Sequence, residues 1–148
     1  MVDRDQQPDH VKVYEEVERL SPDDKVMYMQ AKIPFMSVRE TIMRMKREKL
    51  EDGSWVVTMR SMEEHPKVPV NPSFIRNEML VVRWIKENPE NPKDLDVIGF
   101  SNVDMKGYFP SRLMNMAISS MMGKAVKMWY AKASKVKKEF EEQGKLPK

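Results

Sequence analysis

No cysteine occurs among the 148 residues. Disulfides, thiolate metal sites and cysteine nucleophiles are therefore excluded. Histidine is almost as scarce. His10 and His65 are the only two, each in an arm or loop stretch with no partner set, so neither offers a metal-ligand spacing or a catalytic constellation. With five glycines in all, a Gly-rich phosphate loop is absent, which argues against nucleotide binding through one. No run approaches the roughly 20 apolar residues that span a bilayer. Met1 to Asp9 is polar and acidic; it lacks both the apolar run of a secretory signal and the acid-poor look of a transit peptide. The expectation is a non-enzymatic, soluble, intracellular protein without a cofactor or metal. It is cytoplasmic by default, with an organelle address left open.

What is present fits one domain. Hydrophobic residues make up 41% of the chain, enough for a core. Charges of both signs are mixed and the net charge is only +3. That lacks the concentrated basic stripe of a nucleic-acid binder, but is compatible with transient contact at an anionic membrane surface. Methionine stands out, with 15 residues. It is flexible and polarizable, and it either fills gaps in a core or lines a pliable apolar pocket.

Along the chain, residues 1–10 read as a flexible arm. Val11 to Leu20 alternates partially and suits a strand or a short helix. Ser21-Pro22-Asp23-Asp24 is a turn, and the β-like run from Lys25 is stopped by Pro34. Glu40 to Leu50 and Trp55 to Met62 flank an Asp52-Gly53 hairpin signal, although Arg, Lys, Glu and Met keep a helix open for residues 38–50. The proline-rich stretch 64–72 is a loop. Glu78 to Lys86 is the clearest strand, and Leu95 to Asp104 follows a second turn-rich connection. The pattern is an antiparallel meander without crossover helices. At Pro110 the period changes. From Ser111 to about Glu142, apolar residues recur at spacings of three and four on one stripe, and Gly144 and Pro147 mark the stop. Such a helix, about 45–50 Å long, needs a surface on which to bury its stripe.

Three stretches carry a family resemblance. Ser101-Asn102-Val103-Asp104-Met105-Lys106-Gly107-Tyr108-Phe109-Pro110 and the Leu113-Met114-Asn115 after it resemble the last strand and helix start of START, the steroidogenic-acute-regulatory-related lipid-transfer domains. Ile33 to Glu40, with Pro34 and Arg39-Glu40, is similar to that family's Pro-containing loop ending in Arg-Asp. Phe74-Ile75-Arg76 is like its apolar-Ile-Arg step into the penultimate strand. Order and spacing agree in all three.

The resemblance implies an α+β helix-grip fold, with a curved antiparallel sheet of about six strands packed on a long C-terminal helix. It implies a START-like domain over residues 11–143, an arm over 1–10 and a tail over 144–148. Relative to the family the chain is short, so the N-terminal part of the fold is expected to be missing, leaving an open sheet edge for a protein partner to complete. The implied function is lipid binding or transfer, with a phospholipid or other apolar lipid in a hydrophobic tunnel between sheet and helix. The alternative is a shortened START-like structural subunit of a larger assembly with no lipid transfer. No nucleic-acid partner is expected.

Tunnel candidates on the strands are Met43, Met45, Val57, Met59, Val81 and Phe100. On the helix they are Met114, Ile118, Met121 and Met128. The same inward alternation also describes a filled core. Arg83 shares a strand face with Met79, Val81 and Ile85; buried there it would hold an anionic headgroup, whereas an outward or edge position is the commoner one. The resemblance implies that Pro34, Phe35, Met36 and Arg39 form a gate loop at the tunnel mouth. The places where some members carry a cavity-facing acid and arginine hold Gln30 and Met45. Asp104 and Lys106 suit a turn-fixing role.

Overall fold

The computed structural model describes residues 11–32, 36–107 and 111–144, with side chains in the helix described at 123 and from 126 onward. The arm 1–10, Pro34, Phe35 and the tail beyond Gly144 lie outside the described residues.

The Ser-Pro-Asp-Asp turn closes a hairpin between β1 (Val11–Ser21) and β2 (Asp24–Ala31), with Ser21 paired to Asp24. β1 is thus a strand rather than a short helix. It carries three register shifts, the kind of irregularity that bends and blunts an edge strand. β3 (Arg39–Lys49) and β4 (Trp55–Met62) form the second hairpin. Helix propensity in β3 is overridden because the strand has antiparallel partners on both sides. At its turn Gly53 takes φ 84°, a conformation that favours glycine. Asp52 accepts from both the backbone N–H and the hydroxyl of Ser54, at 3.0 and 2.6 Å, and the Trp84 indole N–H donates to that same hydroxyl at 2.9 Å.

The two-residue β5 (Ile75–Arg76) lies parallel to the start of β3. β6 (Glu78–Glu87) and β7 (Leu95–Asp104) complete a sheet of order β1-β2-β3-β4-β6-β7, antiparallel apart from β5. The chain divides into this sheet unit, up to residue 107, and a helical unit from residue 108. The helix α1 runs Ser111–Glu142, 32 residues, or about 48 Å. Gly144 follows at φ 63° and donates its N–H to the Glu141 carbonyl at 3.0 Å, a left-handed stop of the usual kind.

Register assigns the strand side chains to two faces. One face carries the buried cluster of Val26, Tyr28 and Ile42, against which Val13, Val17, Met62 and Val68 pack. Val68 comes from the proline-rich loop, so that loop covers this face. His65 holds it there: its Nε2 meets Glu18 Oε2 at 3.0 Å, and its Nδ1 accepts from the Lys67 N–H at 3.3 Å. The other face carries Met27, Met43 and Val81, all buried.

Candidate functional site

The three recognisable stretches meet at one corner of the sheet. β5 pairs with β3 so that Arg39 faces Ile75 and Glu40 faces Arg76. The Ile75 N–H donates to Val38 O, and the Asn77 N–H to Glu40 O, both at 2.9 Å. Arg39 is buried at 2% exposure; its guanidinium donates to Ser37 O at 2.7 Å and to Lys106 O at 3.3 Å. Asp104 accepts the Lys106 N–H at 2.9 Å, and Lys106 reaches Glu78 at 2.8 Å. Lys106 and Gly107 have φ of 48° and 74°, so the chain leaves β7 through two left-handed residues. A side chain at Gly107 would begin 3.4 Å from Ile75 Cδ1. These residues shape the end of the sheet, which accounts for the motif in structural terms.

The candidate ligand surface is the face opposite the loop-covered cluster. In cross-strand register Met27 stands by Met43, and Met45 by Met59 by Val81. Val57 stands by Arg83 by Gly99. Six of the residues singled out from the sequence, Met43, Met45, Val57, Met59, Val81 and Arg83, therefore share one face. Phe100 pairs with Val82 and so belongs to the other face, where it is exposed. Gln30 and Met45 also fall on opposite faces, because Gln30 pairs with Glu40 whereas Met45 pairs with Lys25. Gln30 donates to the Tyr28 hydroxyl at 2.6 Å. They cannot form a facing pair within this sheet.

Burial grades the shared face. Met27 and Met43 are buried, at 0% and 2% exposure, whereas Met45, Val57, Met59 and Arg83 are half-buried. Of the stretch expected to form a gate, Met36 is half-buried and Arg39 buried. Met114, Ile118 and Met121 lie on α1 with side chains outside the described residues, and Met128 is half-buried.

Sequence reading passed over Tyr14, which stands beside Met29 on this face. Burial pushes the Tyr14 hydroxyl above its ordinary value, and the positive charge of Arg83 opposes that rise. Burial likewise pulls Arg83 down, opposed by Tyr14. β2, β3 and β4 lie between the two parent strands. In a flat sheet four strand spacings would hold their backbones about 19 Å apart, beyond the reach of screened charges. Each group nevertheless senses the other's charge across β2, β3 and β4. The signal for Tyr14 was weak because β1 alternates only in part and its register shifts.

The sequence matches the START domain family over residues 6–139. This chain belongs to the START domain family. Solved structures agree on the fold. Human STARD10 aligns at a TM-score of 0.72 with 21% identity, over 94% of this chain and 56% of that one. Human StAR-related lipid transfer protein 5 aligns at 0.62 and 20%, over 89% and 62%. A STAR-related lipid transfer protein fragment from Xanthomonas axonopodis aligns at 0.66 and 16%, over 85% and 69%. This chain spans less than two thirds of the two human chains. No curated protein matches it. The antiparallel curved sheet with a C-terminal helix is the START-like helix-grip class, and the START family is one of lipid binding and transfer. Among the described residues no helix is long and apolar enough to cross a membrane.

Proposed function

We propose that this START-like domain, over residues 11–143, binds one apolar lipid, such as a phospholipid, against the methionine face of its sheet. It carries that lipid without bond-making chemistry. The face is one wall of a hydrophobic tunnel, and Met45, Val57, Met59 and Val81 are its lining. The observation that supports this most directly is the shared register of those residues on one face of the sheet. Burial of apolar chain is the driving force, at about 0.8 kcal/mol per methylene. Roughly ten buried methylenes would supply about 8 kcal/mol, which is micromolar binding. Methionine suits such a wall because it adapts to chains of different shape.

The test is extraction of the purified protein, with mass spectrometry of the lipid it carries, followed by uptake from labelled vesicles. A stoichiometric lipid and saturable uptake are expected. A protein that holds none and takes up none ends this reading. Membrane contact during loading falls, in this proposal, to the later half of α1, where Trp129, Val136 and Phe140 are exposed at spacings of seven and four among lysines. Sedimentation with anionic vesicles, lost in Trp129→Ser, is the expected sign.

A second reading has one observation in its favour. β7 ends the sheet, and Leu95, Val97, Ile98, Phe100 and Val103 are exposed on both of its faces. Exposed apolar edges invite pairing with another chain. A structural subunit of a larger assembly would be insoluble alone and rescued by coexpression with its partner; solubility of the isolated chain, with bound lipid, counts against it.

A further inference from the structure

The sulfur of the sheet is sorted by face. Its strands carry seven methionines; cross-strand register puts Met27, Met29, Met43, Met45, Met59 and Met79 on one face and Met62 on the other. The chain has no cysteine, so thioethers are its only oxidisable sulfur. Burial sorts the six again. Met27 and Met43 are 0% and 2% exposed, whereas Met29, Met45, Met59 and Met79 are half-buried. Met45 and Met59 stand directly opposite each other on β3 and β4, which sets their Cβ atoms about 5 Å apart. Met29 on β2 and Met79 on β6 flank them, so accessible sulfur extends over three strand spacings, roughly 14 Å. Leucine and isoleucine would give a similar apolar wall without a reactive atom. A thioether adds a nucleophilic sulfur that hydroperoxides oxidise.

We propose that this face reduces lipid hydroperoxides: Met45 and Met59, with Met29 and Met79 beside them, take the terminal oxygen of a hydroperoxide carried in on the acyl chain of the bound lipid. This rests on the lipid-binding reading above and adds a reaction to it for oxidised lipids alone. Carriage of intact lipid still makes and breaks no bond. The sulfur lone pair attacks the outer peroxide oxygen. The S–O bond forms as the O–O bond breaks, and the proton on that oxygen passes to the departing alkoxide. One thioether and one lipid hydroperoxide become one methionine sulfoxide and one lipid alcohol. Sulfur gives up two electrons and the peroxide gains them. The reaction is stoichiometric, since each thioether reacts once. Holding the peroxide against the wall makes the encounter intramolecular, which favours it over attack by oxidant in free solution. The product also weakens the site. A sulfoxide is polar, and a polar group facing an acyl chain without a donor is penalised, so the oxidised wall releases its lipid.

The experiment loads the full chain from vesicles of phosphatidylcholine bearing a linoleoyl hydroperoxide, with chelator present and oxygen excluded. Peptide mass spectrometry reads sulfoxide at each methionine, and chromatography of the extracted lipid reads hydroperoxide and alcohol. Alcohol and sulfoxide are expected one for one, with Met45 and Met59 oxidised about tenfold more than Met62. Met62 is the reference because it is also half-buried but on the opposite face. Hydrogen peroxide at the same concentration is a separate arm and should bring that preference close to one. The double variant Met45→Leu/Met59→Leu should form several-fold less alcohol per lipid bound. The wild-type pattern decides the proposal even where this variant fails to fold. Hydroperoxide that is held and recovered unreduced overturns the proposal while leaving lipid binding standing. So does an equal preference with hydrogen peroxide, which shows access of free oxidant rather than delivery by the lipid. Uptake of neither the hydroperoxide nor the unoxidised phosphatidylcholine overturns both readings.

Discussion

Arg76 forks onto Glu40. Its Nε and Nη2 donate to one carboxylate oxygen at 3.0 and 2.7 Å, while the Tyr28 hydroxyl donates to the other at 2.8 Å. Arg76 Nη1 continues to the Glu63 carbonyl at 2.7 Å, tying β5 to the end of β4 and the start of the proline-rich loop. Glu40 is 2% exposed and Arg76 17%, so this is a buried, bidentate pair with its oxygens satisfied. Such a pair adds little over a well-packed apolar replacement, but losing one partner strands a buried charge.

Arg76→Met should therefore cost about 3–5 kcal/mol, measured by urea denaturation. Tyr28→Phe removes one neutral donor and should cost about 1.5–3 kcal/mol, the range for a bond to a charged group. A cost below about 1 kcal/mol for Arg76→Met would mean that water reaches the Glu40 carboxylate.

Asp24 gives the chain an acid-side dependence. Arg44 beside it donates to both of its oxygens and holds its carboxyl below the ordinary 3.8, against the opposing effect of burial. With the folded pKa depressed, the stabilisation is complete above the unfolded value and is lost as pH falls through the folded one. The denaturation midpoint of the native sequence should drop as pH is lowered through and below about 4. Asp24→Asn should drop less over the same interval. Parallel curves for the two proteins would remove Asp24 from the account. Arg44 is half in solvent, so added salt should shrink the difference.

The methionine face should separate into structure and function by burial. Met43 is buried at 2% exposure, and Met43→Ala should cost about 2–5 kcal/mol by leaving a cavity. Met59 is half-buried and belongs to the proposed tunnel lining. Met59→Trp should be better tolerated, and the lipid recovered with the protein should fall sharply. Full lipid occupancy in Met59→Trp would show that the ligand lies elsewhere. A large loss of stability would show instead that Met59 is packed as core.

Much of the fold was legible in the sequence. The turn residues Ser21-Pro22-Asp23-Asp24 and Asp52-Gly53, the β-branched run at Glu78 to Lys86 and the change of period after Pro110 placed the hairpins, the strands and the helix. Local chemistry determines these features, because turns need particular φ values and each element needs its own apolar period. The short β5 was not visible, since two residues have no period to read. Pairing of Glu40 with Arg76 across 36 positions was equally hidden.

What the sequence by itself determined about this protein is which residues alternate along each strand, and from its motifs the family. It did not fix how each strand's two faces combine with those of its neighbours. That depends on cross-strand register, a long-range property in which a shift of one residue exchanges the faces. Register put Met43, Met45, Val57, Met59, Val81 and Arg83 together and set Phe100 on the other side. Tyr14 and Arg83 stand on strands with β2, β3 and β4 between them, yet each senses the other's charge. Only the tertiary structure could decide that, because the bend accumulates over the whole sheet and no single strand encodes it.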